Sequence, residues 1–491
     1  MSKIRVRIAP SPSGFLHIGT AKMALFNWLF ARKTGGTFVL RLEDTDAERS
    51  DDEYVQAMCE GFQWLGIDWD EGPAFGDEPE KGAFGPYKQS ERRDIHVAAA
   101  QKLLDEGKAY KCFLTKDELS DIRDTMREEK ASTSFRSPWR DKTADDVAAQ
   151  GDASYVVRFK VPEGSTTVHD LVQGDVITRN DQTEDFVIQK PNGDPIFHLA
   201  VVVDDATMEI SHVVRGDDHL TNAARHIMLF EALGYPVPQF AHLPMVLDEG
   251  GKKFSKRLHG ANVLDWRTDG YLPEALINYV ALLGWTPEEE NRELFTREEL
   301  IEAFTIERWG KSAARFDLKK VQWLNGQHLR MLSPAELRDL IVPVLNEGGC
   351  DTSIKSEAWL TELASITQEK LSTLNDIVAQ SDFFFKDVTE YDEKAASKHL
   401  LKDAGGAIER LGMVATAFRN VADWNHEALH EIVAGLVEST GAGFGRFANP
   451  LRLALTGKSA GPGMFELTEL LGKELSLERI DQALQYLKTH G

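Results

Sequence analysis

The chain is poor in cysteine. Only Cys59, Cys112 and Cys350 occur in 491 residues, far apart in sequence. That excludes a disulfide framework and fits a reducing compartment, so a cytoplasmic protein is expected. No two of them stand in C-x-x-C spacing, which removes the usual thiolate pair of a zinc site. Long apolar runs are missing as well. No stretch of about eighteen uninterrupted apolar residues occurs, so no membrane span is expected. The N-terminal MSKIRVRIAPSPSG has no apolar core after its basic residues, so no secretory signal is expected either. Positive charge is in deficit: 56 Lys and Arg face 79 Asp and Glu, for a formal net charge of −23. Such a chain offers phosphate groups no general attraction, although binding needs only a local basic surface. Composition weakens the case for a nucleic-acid partner without excluding one.

What is present is ordinary soluble material, 42% hydrophobic and 27% charged, long enough for about two to four domains. Residues Lys3 to Ala9 alternate as KIRVRIA, the period of a strand with one face buried. Pro10, Pro12 and Gly14 break the chain, and Thr20 to Arg32 then carries apolar residues at helical spacing up to Gly35–Gly36. TFVLRLED reads as a second strand and Asp51 to Leu65 as a second helix closed by Gly66. Strand, helix, strand, helix opens an α/β fold with a parallel sheet. From about Tyr110 to Lys190 the pattern changes to a polar helix, DELSDIRDTMREEK, and strands in YVVRFKVP, TTVHDLVQGDVITRN and DFVIQK, which reads as an inserted subdomain. The α/β pattern resumes through HLAVVVDDATMEISHVVRGDDHL and AHLPMVLDE. Helices dominate from about Leu264, and after Leu332 nearly every segment has a 3.6-residue period.

Two segments carry chemistry. RIAPSPSGFLHIGTA, Arg7 to Ala21, runs from a strand end through a Pro/Gly-broken loop into a helix. In an open α/β sheet that corner holds ligands, and the helix N-terminus offers free N–H groups and partial positive charge to a phosphate. His17 stands where it can donate to phosphate oxygens; the plainer alternative is a capping histidine at a structural corner. The second segment, GGKKFSKRLHG, places three Lys and one Arg among small residues from Gly250 to Gly260. Such a loop can close over a triphosphate and balance charge on a leaving pyrophosphate; the plainer alternative is a solvated basic loop.

Together the two segments, about 235 residues apart, resemble the paired signatures of class I aminoacyl-tRNA synthetases. LRLEDTD, GPYKQSER, VVVDDATMEISHVVRGDDHLTNAARH, GYLPEALINYVALLGW, FDLKKVQWLNG, NPLRLALTG and GPGMFELTELLGKE extend the likeness over nearly the whole chain, to the bacterial glutamyl-tRNA synthetase family. The resemblance implies a Rossmann-like α/β catalytic domain at 1–109 and 191–262, with an α+β subdomain at 110–190 inserted to hold the tRNA acceptor end. A helical connecting domain at 263–331 and an all-α anticodon-binding domain at 332–491 would follow. It implies ATP as substrate with Mg2+, L-glutamate, tRNA-Glu (with tRNA-Gln as an added or alternative acceptor), and a monomer. His17, Lys253, Ser255 and Lys256 would be catalytic. Pro10, Ser11, Gly14, His17, Gly19, Thr20, Lys253 and Lys256 would bind ATP, and Arg7, Ala9, Ser11, Glu43, Phe197 and Arg215 would bind glutamate. In that scheme Arg7 pairs with the substrate side-chain carboxylate, Arg215 faces a substrate carboxylate, and Glu43 accepts from the substrate ammonium.

The chain departs from the family in places. Many relatives carry a zinc site in the insert, but here Leu114 stands where a second cysteine would be, so no metal is expected and Cys112 should be a small buried hydrophobe. Phe197 stands where many relatives have Tyr, and Thr20 where the general class I signature has His. HEALH, His426 to His430, fits a zinc-protease pattern, but WNHEALHEIVAGL reads better as a helix start capped by Asn425 with Leu429, Ile432 and Val433 facing a core. TGKS, Thr456 to Ser459, lacks the glycine a phosphate loop needs, since Arg452 stands there. Arg446, Arg452 and Lys458 are candidate tRNA contacts, and Lys370 stands at the position bearing on discrimination between the two tRNAs. A synthetase for glutamine would end in β-barrels, and a relative that modifies a tRNA base would lack the helical third. A catalytically inactive tRNA-binding paralogue would not need both phosphate segments.

Overall fold

The computed structural model describes residues 3–45, 52–128, 134–252 and 262–490. The chain divides into two compact units, Met1–Trp266 with Leu276–Leu318, and Arg267–Ala275 with Lys319–Gly491.

The first unit begins β1 (Arg5–Ile8), α1 (Ile18–Thr34), β2 (Thr37–Leu40), α2 (Asp52–Trp64) and α3 (Arg93–Asp105). Strands β1 and β2 pair in parallel, with Arg7 opposite Val39. The alternation of KIRVRIA suggested one buried face, but all four residues of β1 are buried. A parallel sheet is covered by helices on both sides. The two arginines enter it because each finds a carboxylate: Arg5 grips Glu71 through two bonds of 2.8 and 2.9 Å, and Arg7 grips Asp205 through two of 3.1 and 3.2 Å. Helix α1 is buried on most of its surface, from Ile18 to Ala31, and Gly35 closes it at φ 62°, a left-handed turn that favours glycine.

Next come β3 (Ala109–Cys112), α4 (Lys116–Glu128), α5 (Ala144–Ala148), β4 (Val156–Phe159), β5 (Ser165–Asp170), β6 (Gly174–Arg179) and β7 (Val187–Gln189). Strands β3, β4 and β7 form an antiparallel sheet. Asp185 anchors it, accepting from Tyr110 Oη at 3.0 Å, Arg140 Nη1 at 2.6 Å and the Val161 N–H at 2.9 Å. Cys112 is buried, with its Sγ 3.3 Å from Ser137 Oγ.

The unit continues with α6 (Phe197–Thr207), β8 (His212–Gly216), α7 (Leu220–Leu233) and β9 (Gln239–Leu243). Strands β8 and β9 are parallel, with Arg215 opposite His242. β8 runs beside β1, where the Ser211 N–H donates to Arg5 O at 3.0 Å. The hairpin β5–β6, within the span expected to form the insert, does not join the β3–β4–β7 sheet. It pairs with β9 through Asp170 and Phe240, giving the order β6–β5–β9–β8.

The second unit is helical. Its core gathers Leu337, Ile341, Leu363, Leu411, Phe418, Leu429, Val433 and Leu451, among others. Its helix His426–Thr440 starts as its sequence suggests: Asn425 caps it by accepting the Ala428 N–H at 2.9 Å, Leu429 and Val433 are buried, and Ile432 packs against the core.

Candidate active site

A cavity of about 370 Å³ opens where β1 and β8 end and α1 begins. This volume suits a small ligand. His17 shapes one wall. Its Nδ1 accepts the Thr20 N–H at 3.3 Å and so caps α1. A neutral imidazole that accepts at Nδ1 carries its proton on Nε2, and Nε2 lies 3.1 Å from Thr20 Oγ1. Capping and donation are therefore compatible: the cap selects the tautomer whose other nitrogen can reach an anion at the helix terminus. A Cβ at Gly19 would lie 3.0 Å from the His17 ring, so glycine leaves room for that ring.

Opposite lies a buried charged layer. Asp205, on α6, receives Arg7 and also Arg41 Nη1 at 2.7 Å, while Arg41 Nη2 donates to Glu43 Oε1 at 3.3 Å. Its neighbour Asp204 accepts from Gln89 at 2.8 Å, Arg92 Nε at 2.6 Å and His96 Nε2 at 2.7 Å. Burial works to raise the Asp205 carboxyl, but Arg7 and Arg41 outweigh it and hold it below the usual range. At Glu43 burial prevails, and its carboxyl is raised despite Arg41 and Arg7.

Arg215 is held differently. Its Nε donates to His242 Nε2 at 3.0 Å, Nη1 to His226 Nδ1 at 3.2 Å and Nη2 to His219 O at 3.3 Å. No carboxylate of the described residues lies within ion-pair distance of this nearly buried guanidinium. Burial, and then the nearby Arg7, push it down to about 9, which still leaves it charged at neutral pH.

Of the residues expected to bind ATP, Pro10, Ser11, His17, Gly19 and Thr20 line this cavity, whereas Gly14 does not. All six expected for the amino acid, Arg7, Ala9, Ser11, Glu43, Phe197 and Arg215, line it. Lys253, Ser255 and Lys256 lie outside the described residues. Lys22 and His219 also face the cavity without having been singled out. The Lys22 ammonium donates to Pro244 O at 2.7 Å, and burial lowers it to about 8 despite Asp217. One signal was open to reading: two adjacent aspartates ending the apolar run VVVDD, since buried carboxylates require cationic partners.

In the helical unit the four candidate basic residues separate into two pairs. Arg446 and Lys370 are exposed. Arg452 donates to Pro462 O at 2.8 Å, and Lys458 to Ala379 O and Asp382, both at 2.6 Å, so these two brace their own unit. Of the HEALH histidines, His426 pairs with Glu469 at 2.9 Å and His430 rests edge-on against Phe465. TGKS forms the end of a helix, closed by its own Gly457 at φ 70°, whereas a phosphate loop precedes its helix.

Comparison with known proteins identifies both parts of the chain. Residues 3–323 match the family model "tRNA synthetases class I (E and Q), catalytic domain", and residues 331–484 match "Anticodon binding domain". The glutamate–tRNA ligase of Geobacter sulfurreducens is 42% identical over 490 residues, spanning 99% of this chain and 100% of the relative. Glutamate–tRNA ligase 1 of Caldanaerobacter subterraneus subsp. tengcongensis is 40% identical over 491 residues, with 99% of each covered. The crystal structure of a glutamate tRNA ligase from Elizabethkingia meningosepticum, in complex with its amino acid, superposes with a TM-score of 0.88 at 32% identity, covering 99% of this chain and 100% of that one. A class I catalytic domain followed by a helical anticodon-binding domain is the architecture, and the chain belongs to the glutamate–tRNA ligase family.

Proposed function

We propose that this protein is a glutamate–tRNA ligase that activates L-glutamate with ATP and transfers it to the 3′-terminal adenosine of tRNA-Glu, or of tRNA-Gln as well or instead. One observation carries this reading. Arg215 is a charged guanidinium in the cavity, held by neutral acceptors with no carboxylate in contact among the described residues. A bound carboxylate is the partner such a group calls for. Arg7 contributes its remaining edge, since Nε and Nη2 are spent on Asp205. Glu43 accepts from the substrate ammonium, and Ala9 and Ser11 line the same cavity.

In the first step the glutamate α-carboxylate attacks the α-phosphorus of ATP; glutamyl-adenylate forms and pyrophosphate leaves. His17 Nε2–H and the α1 N-terminus stabilise charge on the phosphate oxygens. Pro10, Gly14, Gly19 and Thr20 shape the nucleotide loop, and Lys253, Ser255 and Lys256 supply further donors to the triphosphate. Mg2+ travels with the triphosphate on its own oxygens. In the second step a ribose hydroxyl of the terminal adenosine attacks the activated carbonyl and AMP leaves. Alignment and charge stabilisation suffice, with no covalent enzyme intermediate.

The insert at 110–190 receives the acceptor end, 263–331 connects, and 332–491 reads the anticodon loop, where exposed Arg446 and Lys370 are the contacts we favour. The protein acts as a monomer in the cytoplasm.

Glu43 gives a two-sided prediction. Its folded carboxyl titrates above its unfolded value, about 4.3, so the folded state carries a penalty that grows as pH rises through this window. Glu43→Gln should therefore raise the thermal midpoint at pH 7, lose that gain below about pH 4, and raise KM for glutamate. A midpoint lowered at pH 7 would contradict it.

The function is tested by charging purified tRNA-Glu and tRNA-Gln transcripts with labelled glutamate, ATP and Mg2+. Charging of the first alone identifies a discriminating enzyme. Charging of the second identifies the misacylating route that requires a later amidation. Charging of neither, including cell-modified tRNA, would leave a catalytically inactive tRNA-binding paralogue.

A further inference from the structure

Three adjacent strands each bring one polar residue to the same corner. In the order β5–β9–β8 these are Asp170 at the end of β5, His242 in β9 and Arg215 directly opposite His242 in β8. All three are buried. Asp170 Oδ2 accepts from His242 Nδ1 at 2.6 Å and from the His242 N–H at 3.1 Å, while Oδ1 accepts the N–H groups of Val172 and Gln173 at 2.9 and 2.8 Å. The carboxylate is thus fixed from four directions. Burial works to raise it, yet the His242 bond and the backbone donors hold it below the ordinary range. An ionised carboxylate only accepts, so His242 carries its proton on Nδ1. Its Nε2 is then an acceptor, and it meets Arg215 Nε, which only donates. On the other side His226 Nδ1 accepts from Arg215, so its Nε2–H points at His198 Nδ1, 3.1 Å away. Burial lowers both of these histidines, His198 to about 4, which keeps them neutral acceptors.

We propose that Asp170 and His242 are positioning residues, a carboxylate–imidazole relay that aims Arg215 into the amino-acid cavity while keeping a carboxylate out of contact with it. This rests on the functional reading above. The neighbouring Arg7 shows the alternative: its guanidinium is gripped directly by Asp205 and largely compensated. Interposing an imidazole orients Arg215 by the same means, a fixed carboxylate, without spending its charge. The full attraction is left for a substrate carboxylate. Where that carboxylate is the substrate's side chain, shared with Arg7, an amide in its place would leave the buried guanidinium without an anion, so the relay also favours the acid over the amide.

The two amides at position 242 separate the halves of the relay. In H242N the side-chain N–H₂ stands near the Nδ1 position and keeps Asp170 satisfied, but nothing reaches Arg215. In H242Q the longer side chain places an acceptor near the Nε2 position. With full-length protein and cognate tRNA, H242N is expected to raise KM for glutamate about ten- to a hundredfold. Its kcat should change by less than about threefold, with KM for ATP and the thermal midpoint near wild type, and H242Q should recover most of the loss. A glutamate KM for H242N within about twofold of wild type overturns the relay, as does a parallel rise in the KM for ATP with a lowered midpoint. A wild-type protein that charges no tRNA overturns the functional reading and the relay's role together. A charging wild type beside an unaffected H242N overturns the relay alone.

Discussion

R215Q should lose glutamate charging by about 3–5 kcal/mol, roughly a hundred- to a few-thousandfold in kcat/KM. Glutamine removes the cation and leaves the substrate carboxylate buried without a partner. R215K should fall between the two. Lysine keeps a charge but cannot donate at once to His242, to His226 and to a substrate, as the planar fork does through Nε and both Nη atoms. Steady-state aminoacylation with glutamate varied would settle the ranking. An R215Q enzyme within tenfold of wild type would remove Arg215 from the substrate site.

The second large effect is expected at Asp205. D205A strips the carboxylate from both Arg7 and Arg41, the latter fully buried, and should destabilise the catalytic unit by about 3–5 kcal/mol. Calorimetry would read this as a lowered midpoint, and activity should fall with it because Arg7 loses its aim. D205N keeps the shape and one acceptor, and should lie between. The pH dependence follows from the direction of the shift. Asp204 and Asp205 are held below their unfolded value, about 3.9, so their contribution is complete above that value and is lost as pH falls through the folded ones. The stability difference between wild type and D205N should therefore shrink in acid. A difference that stayed constant down to pH 3 would argue that Asp205 titrates in the fold as it does in the unfolded chain, and one that moved in wild type's favour toward acid would argue that it is protonated there.

Contiguous features were legible in sequence. The corner from β1 through His17 into α1 lies within fifteen residues, and the capped helix at Asn425 announced both its start and its buried face. Arg7, Glu43 and Arg215 came from family likeness, since nothing local marks an arginine in a strand as a ligand. Alternation misjudged β1 for a physical reason: period two assigns polar residues to solvent, and it cannot foresee carboxylates arriving on α6 and at Glu71 to receive them. Asp170, His226 and His242 were out of reach altogether. Asp170 and His242 stand 72 positions apart and meet only through strand order and register, which no single-chain pattern encodes. Arg452 and Lys458 also donate to backbone carbonyls of their own unit, which their place in an acidic sequence does not disclose.

The path of the hairpin β5–β6 has a practical bearing on domain swapping. The segment expected to form an insert builds strands β3 and β4 after α3, sends the hairpin to β9, and only then adds β7. A cassette cut at 110 and 190 therefore transplants Asp170, and a chimera would inherit the donor's carboxylate behind the recipient's Arg215. Grafts meant to leave the recipient's own β5–β6 in place should be spliced in two pieces around residues 165–179. A one-piece graft therefore changes the residue behind His242 and Arg215 along with the rest of the segment.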